Sequence, residues 1–86
     1  MALYQILSWQ EIPSQVKVWD DFDEVRAELP ARFAARIDAA AQARGLTSAD
    51  DYLAQWKWSE EEERPGAVAE VAAQIQAELE QKFAGG

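Results

Sequence analysis

The side chains of this sequence that could take part in chemistry are carboxylates and a few hydroxyls. The chain has no histidine and no cysteine, so it lacks the commonest general base near neutral pH and the thiolate nucleophile. No base stands at a meaningful spacing from its hydroxyls, which belong to Ser8, Ser14, Thr47, Ser48 and Ser59. Only a carboxylate pair remains as a catalytic route, and we therefore expect a protein that is not an enzyme.

A metal or a phosphate-bearing cofactor would need its own sequence pattern. The four glycines do not form a phosphate-cradling or dinucleotide-binding loop, and no cofactor is expected. An acidic turn offers oxygen ligands for a hard cation, but it lacks the spacing of a dedicated calcium loop. A solvated turn is the better interpretation of its carboxylates, which are Asp20, Asp21, Asp23 and Glu24.

The four tryptophans are the residues through which the chain could bind a partner. They stand at Trp9, Trp19, Trp56 and Trp58, and so small a core cannot easily hold all of them. Exposed tryptophan is enriched at interaction hot spots. Trp56 fits a helical stripe and is expected in the core, whereas one of Trp19 and Trp58 is expected at the surface. The alternative is that both cap an edge of the core with the indole N–H bonded to a backbone carbonyl.

Composition limits the classes of partner. The chain of 86 residues carries 16 acidic and 8 basic side chains, for a net charge of −8. Nucleic-acid binding and adsorption to anionic membranes both rest on Lys and Arg, so neither is expected. The apolar run at the N-terminus is far shorter than the ~20 residues of a spanning helix and has no basic flank. The absence of cysteine is compatible with the cytoplasm, which is the expected location.

The N-terminal third predicts β-structure. Residues 2–9 are rich in strand formers, and residues 14–19 alternate, with Val16 and Val18 on one face. Pro13 should end or turn the chain, giving a hairpin with a loop of about four residues. Residues 24–29 fit a strand or a helical stripe, and we favour a third strand because a two-stranded hairpin is marginal alone.

The rest of the chain predicts helices. Pro30 suits a first helical turn and Gly45 a left-handed stop. Ser48 caps a short second helix of about two turns, whose inward residues are Tyr52, Leu53 and Trp56. Residues 57–66 contain four consecutive glutamates and Pro-Gly, which indicate a solvated connection. A last helix begins near residue 67, and residues 84–86 should fray.

These elements predict one α+β domain over residues 1–86, in which a small antiparallel sheet of two to three N-terminal strands packs against about three helices. Whether the chain forms a homodimer through an exposed edge strand is left open, because the spacing of its residues cannot decide it.

Three blocks of the sequence resemble a known family. Residues 9–16 are similar to W-R-D-I-P-A-Q-V, residues 29–38 to L-P-x-R-F-x-x-A-I-D, and residues 51–56 to D-A-Y-L-x-x-W. These patterns are typical of the small bacterial virulence factor family, which also forms the C-terminal segment of conserved virulence factor C proteins. The family's label is a phenotype and implies no reaction. Its occurrence beside scaffold-like regions implies docking.

We therefore expect a module that binds another, unidentified protein through the hairpin loop and nearby tryptophans. The candidate contact residues are Trp9, Glu11, Ile12, Pro13, Gln15, Trp19 and Trp58. The alternative hypothesis is an accessory subunit that binds a small molecule or a divalent cation through residues 20–24.

Overall fold

The computed structural model describes residues 1–83 and has the expected α+β architecture. One antiparallel sheet of five strands packs against three helices in this part of the chain. The elements, in chain order, are β1 (Ala2–Trp9), β2 (Ile12–Trp19), β3 (Glu24–Glu28), α1 (Ala31–Ala43), α2 (Ala49–Leu53), β4 (Trp56–Trp58), β5 (Glu62–Arg64) and α3 (Val68–Lys82). The frayed tail predicted at residues 84–86 lies outside the described residues.

The β1–β2 hairpin is tighter than predicted. Its turn contains only Gln10 and Glu11, and Gln10 adopts a positive φ of 53°. The prediction that the chain leaves the strand at Pro13 is wrong. Pro13 lies within β2 opposite Ser8, where the register slips and leaves Ser14 as a bulge. A bulge is one of the few places where a sheet tolerates proline, which has no N–H to donate.

The ambiguous segment before the first helix is a strand. Val25 of β3 lies opposite Val18, and Ala27 lies opposite Val16. The strand interpretation of this segment is therefore confirmed.

Residues 57–66, predicted to be a solvated connection, instead contribute to two short strands. Trp56–Trp58 pairs with β1 near its C-terminal end, and Glu62–Arg64 pairs with β1 near its N-terminal end. The hydroxyl of Tyr4 donates to Glu62 at 2.7 Å, and Arg64 binds Glu78 of α3 through two hydrogen bonds. These long-range partners stabilise strands that local charge repulsion disfavours.

The two faces of the sheet differ because side chains alternate along a strand. On the first face, Tyr4, Val16 and Val18 pack against α3. The opposite face carries the alternate residues, and we call it the open face. Alternation and cross-strand pairing place on it Leu3, Gln5, Leu7, Gln15, Lys17, Trp19 and Trp58. Trp9 and Trp56 continue the same face toward the hairpin turn, where they pack with residues of α1.

A second core cluster lies at the turn end of the hairpin. It joins Trp9 and Ile12 of the hairpin to Ile37 and Ala41 of α1. Tyr52, Leu46 and Trp56 pack around it, partly buried. Residue 56, predicted in helix α2, instead begins β4, and Trp56 contacts the core without being fully buried.

The helices largely follow the sequence signals. Helix α1 begins directly after Pro30, and the Ser48 hydroxyl accepts the Asp51 N–H at the start of α2. Helix α2 is shorter than predicted, and Leu53, expected to face inward, is 63% exposed. None of the helices in residues 1–83 has the length and apolar character needed to cross a bilayer.

Substitution of Gly45 tests how α1 ends, because this residue has a left-handed conformation. Its φ is +69°, and a Cβ added there would meet no atom within 4 Å. Gly45→Ala should therefore lower the free energy of unfolding by about 1 kcal/mol through backbone strain alone. Urea unfolding measures this change.

The matched variant is Gly45→Asn, since asparagine tolerates the left-handed conformation better than alanine. It should lose less stability than Gly45→Ala. Equal stability of the wild type and Gly45→Ala would contradict this account of the stop.

Candidate functional site

Three of the predicted contact residues are buried and present little accessible surface. Trp9 is fully inaccessible, Ile12 is 3% exposed and Pro13 is also buried. The Trp9 ring lies 5.8 Å from that of Tyr52, and its Nε1–H donates to the Tyr52 carbonyl at 2.9 Å. The prediction fails at Trp9 and Ile12 because α1 and α2, which come later in the chain, pack against them. Pro13 lies instead beside the C-terminal end of α3.

Glu11 is exposed but is held by an ion pair. Arg44, at the end of α1, donates to its two carboxylate oxygens at 2.6 and 3.1 Å and also to Gln10. These hydrogen bonds lower the pKa of Glu11 below its ordinary value. Glu11 therefore ties the strained hairpin turn to α1.

The remaining candidates, Gln15, Trp19 and Trp58, come together on the open face. Leu7 of β1 lies opposite Gln15 on one side and Trp58 on the other, while Leu3 lies opposite Trp19. Trp58 is 40% exposed, and Trp19 is partly buried. The expectation that one of these two tryptophans is at the surface is confirmed for Trp58.

The Lys17 side chain contacts both tryptophans of this face. It was not predicted as a site residue. Its ammonium lies 5.1 Å from the ring centroid of Trp19 and 5.0 Å from that of Trp58. Each such cation–π contact at an exposed site contributes about 0.5–1 kcal/mol. The alternation of Lys17 with Trp19 was visible in the sequence, but the contact with Trp58 depends on the unpredicted pairing of β4 with β1.

The open face presents groups that can recognise an apolar surface. Its members offer two indole rings, two leucines, two amides and one ammonium. The hydroxyls of Ser48 and Ser59 accept hydrogen bonds from backbone N–H groups. Ser48 caps α2, and the Ser59 hydroxyl accepts the Ile6 N–H at 2.8 Å, extending the pairing of β4 with β1.

The acidic turn between β2 and β3 is a structured loop. The Asp20 carboxylate accepts the N–H groups of Phe22 and Asp23, each at 2.8 Å, and these bonds lower the pKa of Asp20. Phe22 is 90% exposed. Within residues 1–83 no group of three or more acidic side chains is placed to hold a metal ion, so the weak candidates Asp20, Asp21, Asp23 and Glu24 do not converge.

The sequence comparison decides the family. The family described as virulence factor matches residues 7–85, which is most of the chain. The chain belongs to the virulence factor family. This agrees with the resemblance carried by the three sequence blocks. No match was found among curated proteins or among solved structures.

In this family member, two tryptophans should respond differently to truncation. Trp9→Ala removes a fully buried ring and should lower the free energy of unfolding by about 3–5 kcal/mol. Trp58→Ala removes an exposed ring with one cation–π contact and should cost about 1 kcal/mol or less. Chemical unfolding followed by circular dichroism measures both changes.

If Trp9→Ala does not fold, Trp9→Phe provides a graded version of the same test. It keeps most of the apolar volume but loses the hydrogen bond to Tyr52. A larger loss for Trp58→Ala than for Trp9→Phe would contradict the assignment of Trp9 to the core and Trp58 to the surface.

The turn at residues 20–23 should be sensitive to acid. Because the folded state lowers the pKa of Asp20 below its ordinary value of 3.8, its ionised form stabilises the fold above that value. This contribution is lost as the pH falls through the lower, folded pKa. An NMR titration of the Asp20 carboxyl should therefore show a midpoint below 3.8. A midpoint at or above 3.8 would contradict the double hydrogen bond at this carboxylate.

Proposed function

We propose that this chain is a non-enzymatic, cytoplasmic domain that binds another protein through its open face. The observation that carries the proposal is the position of Lys17 over both Trp19 and Trp58 on a sheet face opposite α3. Tryptophan is the residue most enriched at binding hot spots. Here two indoles stand on adjacent parts of one rigid sheet, so little conformational entropy is lost when they bind.

The charges around the open face define the partner's chemistry. Glu28 lies opposite Gln15 and Glu63 lies opposite Leu3, so carboxylates stand beside both flanks of the apolar centre. Neither forms an ion pair with another residue in the described part of the chain. The partner surface that complements this arrangement is apolar at its centre and carries Lys or Arg at its rim.

The absence of histidine and cysteine and the net negative charge also favour a protein-binding role. A catalytic role would require a base or nucleophile, and the chain has neither imidazole nor thiol. The absence of cysteine is compatible with a reducing compartment, and the net charge of −8 opposes nucleic-acid binding. The alternative, a cation-binding or small-molecule-binding accessory role for residues 20–24, gains no support from the geometry of the turn.

The experiment compares proteins retained from host lysate by the immobilised wild type and by the double variant Trp19→Ala/Trp58→Ala. The double variant should lose a protein that the wild type retains. With that protein purified, calorimetry should show at least a tenfold weaker affinity for the double variant and weaker binding at high salt. The tryptophan emission of the wild type should shift to shorter wavelength on binding, because Trp58 leaves water.

Leu53→Ala is the matched control, since it removes an exposed apolar side chain on α2 and leaves the open face intact. It should retain the same protein with unchanged affinity. Equal affinity of the wild type and the double variant for the purified protein would remove the open face as the binding surface.

A further inference from the structure

Phe22 is the most exposed aromatic side chain of the described residues, yet its backbone is fixed. The Asp20 carboxylate bonds to two N–H groups of the turn, and the Asp20 N–H donates to the Asp23 carbonyl at 2.9 Å. The 90% exposed ring therefore projects from a backbone that is already ordered. Its association therefore costs less ordering entropy than that of a ring on a mobile loop.

A cleft lies toward the other end of the sheet. It has a volume of about 200 Å³, and its apolar lining is formed by Ile6, Pro13, Leu79 and Phe83. Cavities of about 150 Å³ with apolar walls accept a benzene ring, so the cleft can hold one phenyl side chain. No aromatic ring from the described residues fills it.

The Phe22 turn and the cleft carry opposite charges. The turn carries Asp21 and Asp23 on either side of Phe22. Lys82 lines the cleft, and Arg36 donates to the Phe83 carbonyl at 3.3 Å. Glu11 also lines the cleft, but its carboxylate is bound by Arg44. The α1 and α3 side of the cleft is therefore basic in an otherwise acidic protein.

The turn of one molecule cannot reach the cleft of the same molecule. Trp19, immediately before the turn, lies opposite Leu3 near the start of β1, whereas the cleft includes Ser8 near its end. Ser8 lies five steps along the strand from Leu3, a distance of about 16 Å. The two surfaces can therefore meet only between molecules.

We propose that two copies of this chain associate head to tail, with the Phe22 turn of one copy seated in the cleft of the next. Asp21 and Asp23 then approach Lys82 and Arg36 of the second copy. A symmetric contact between two Phe22 turns would instead bring two sets of like charges together, which is unfavourable. This inference is independent of the proposed role of the open face.

The contact is small, so the association is weak. One side chain and its flanking residues bury far less than the ~1,200 Å² of a stable interface, and dissociation constants on the order of 10⁻⁴ M are expected. Since each copy keeps a free turn and a free cleft, head-to-tail contacts extend into short chains.

Sedimentation velocity from about 10 μM to 1 mM tests the proposal. The average mass of the wild type should rise with concentration. Phe22→Ala and Lys82→Glu each alter an exposed side chain, and each should weaken association at least tenfold. Circular dichroism checks that both variants are folded.

A mixture of the two variants gives the decisive result. Phe22→Ala keeps an intact cleft and Lys82→Glu keeps an intact turn, so an equimolar mixture should form dimers that do not grow further. Leu53→Ala, which removes another exposed apolar side chain, should associate like the wild type. The proposal is overturned if the wild type stays monomeric to 1 mM, if Phe22→Ala associates normally, if Leu53→Ala weakens association as much as Phe22→Ala, or if the mixture forms no dimer.

Discussion

The pairing of β1 along both of its edges is the constraint on which the rest of the structure depends. One edge bonds to β2, and the other bonds to the short strands β4 and β5. Both short strands come from residues far along the chain, so their pairing closes long loops and costs entropy. Burial of Trp9 under α1 and α2 offsets this cost at one end, and the contacts of Tyr4 and Arg64 do so at the other. Without these contacts the extended conformation of β4 and β5 would not be stable.

The parts of the fold that were predictable are those determined by local sequence. The alternation of Val16 and Val18, the proline before α1, the glycine after it and the serine cap of α2 each act over a few residues. The third strand was already less certain, because residues 24–29 fit two periods. Strands β4 and β5 were missed because they pair with β1, more than 45 positions away, and because the glutamate run that overlaps β5 is typical of a solvated segment.

The same reasoning explains which site residues were identified. Gln15, Trp19 and Trp58 were predicted as contact residues, and their role in binding stays a prediction. The structure places them on one face, which follows only from the position of β4 beside β1. Trp9, Ile12 and Pro13 were also predicted as contact residues because the sequence does not show which apolar residues a later helix covers. Phe22 was not among the candidates, because the sequence around it consists mainly of carboxylates.

The size of the domain explains why a tryptophan-bearing face is left available. A chain of 86 residues has material for one layer of helix over most of its sheet, and α3 provides that layer on the first face. Two indoles on the opposite face would promote aggregation if they were bare. Lys17 places its ammonium near both rings, and this charge opposes the close approach of an apolar surface. A protein that binds this face must displace or desolvate that ammonium, and this cost favours reversible binding over permanent assembly.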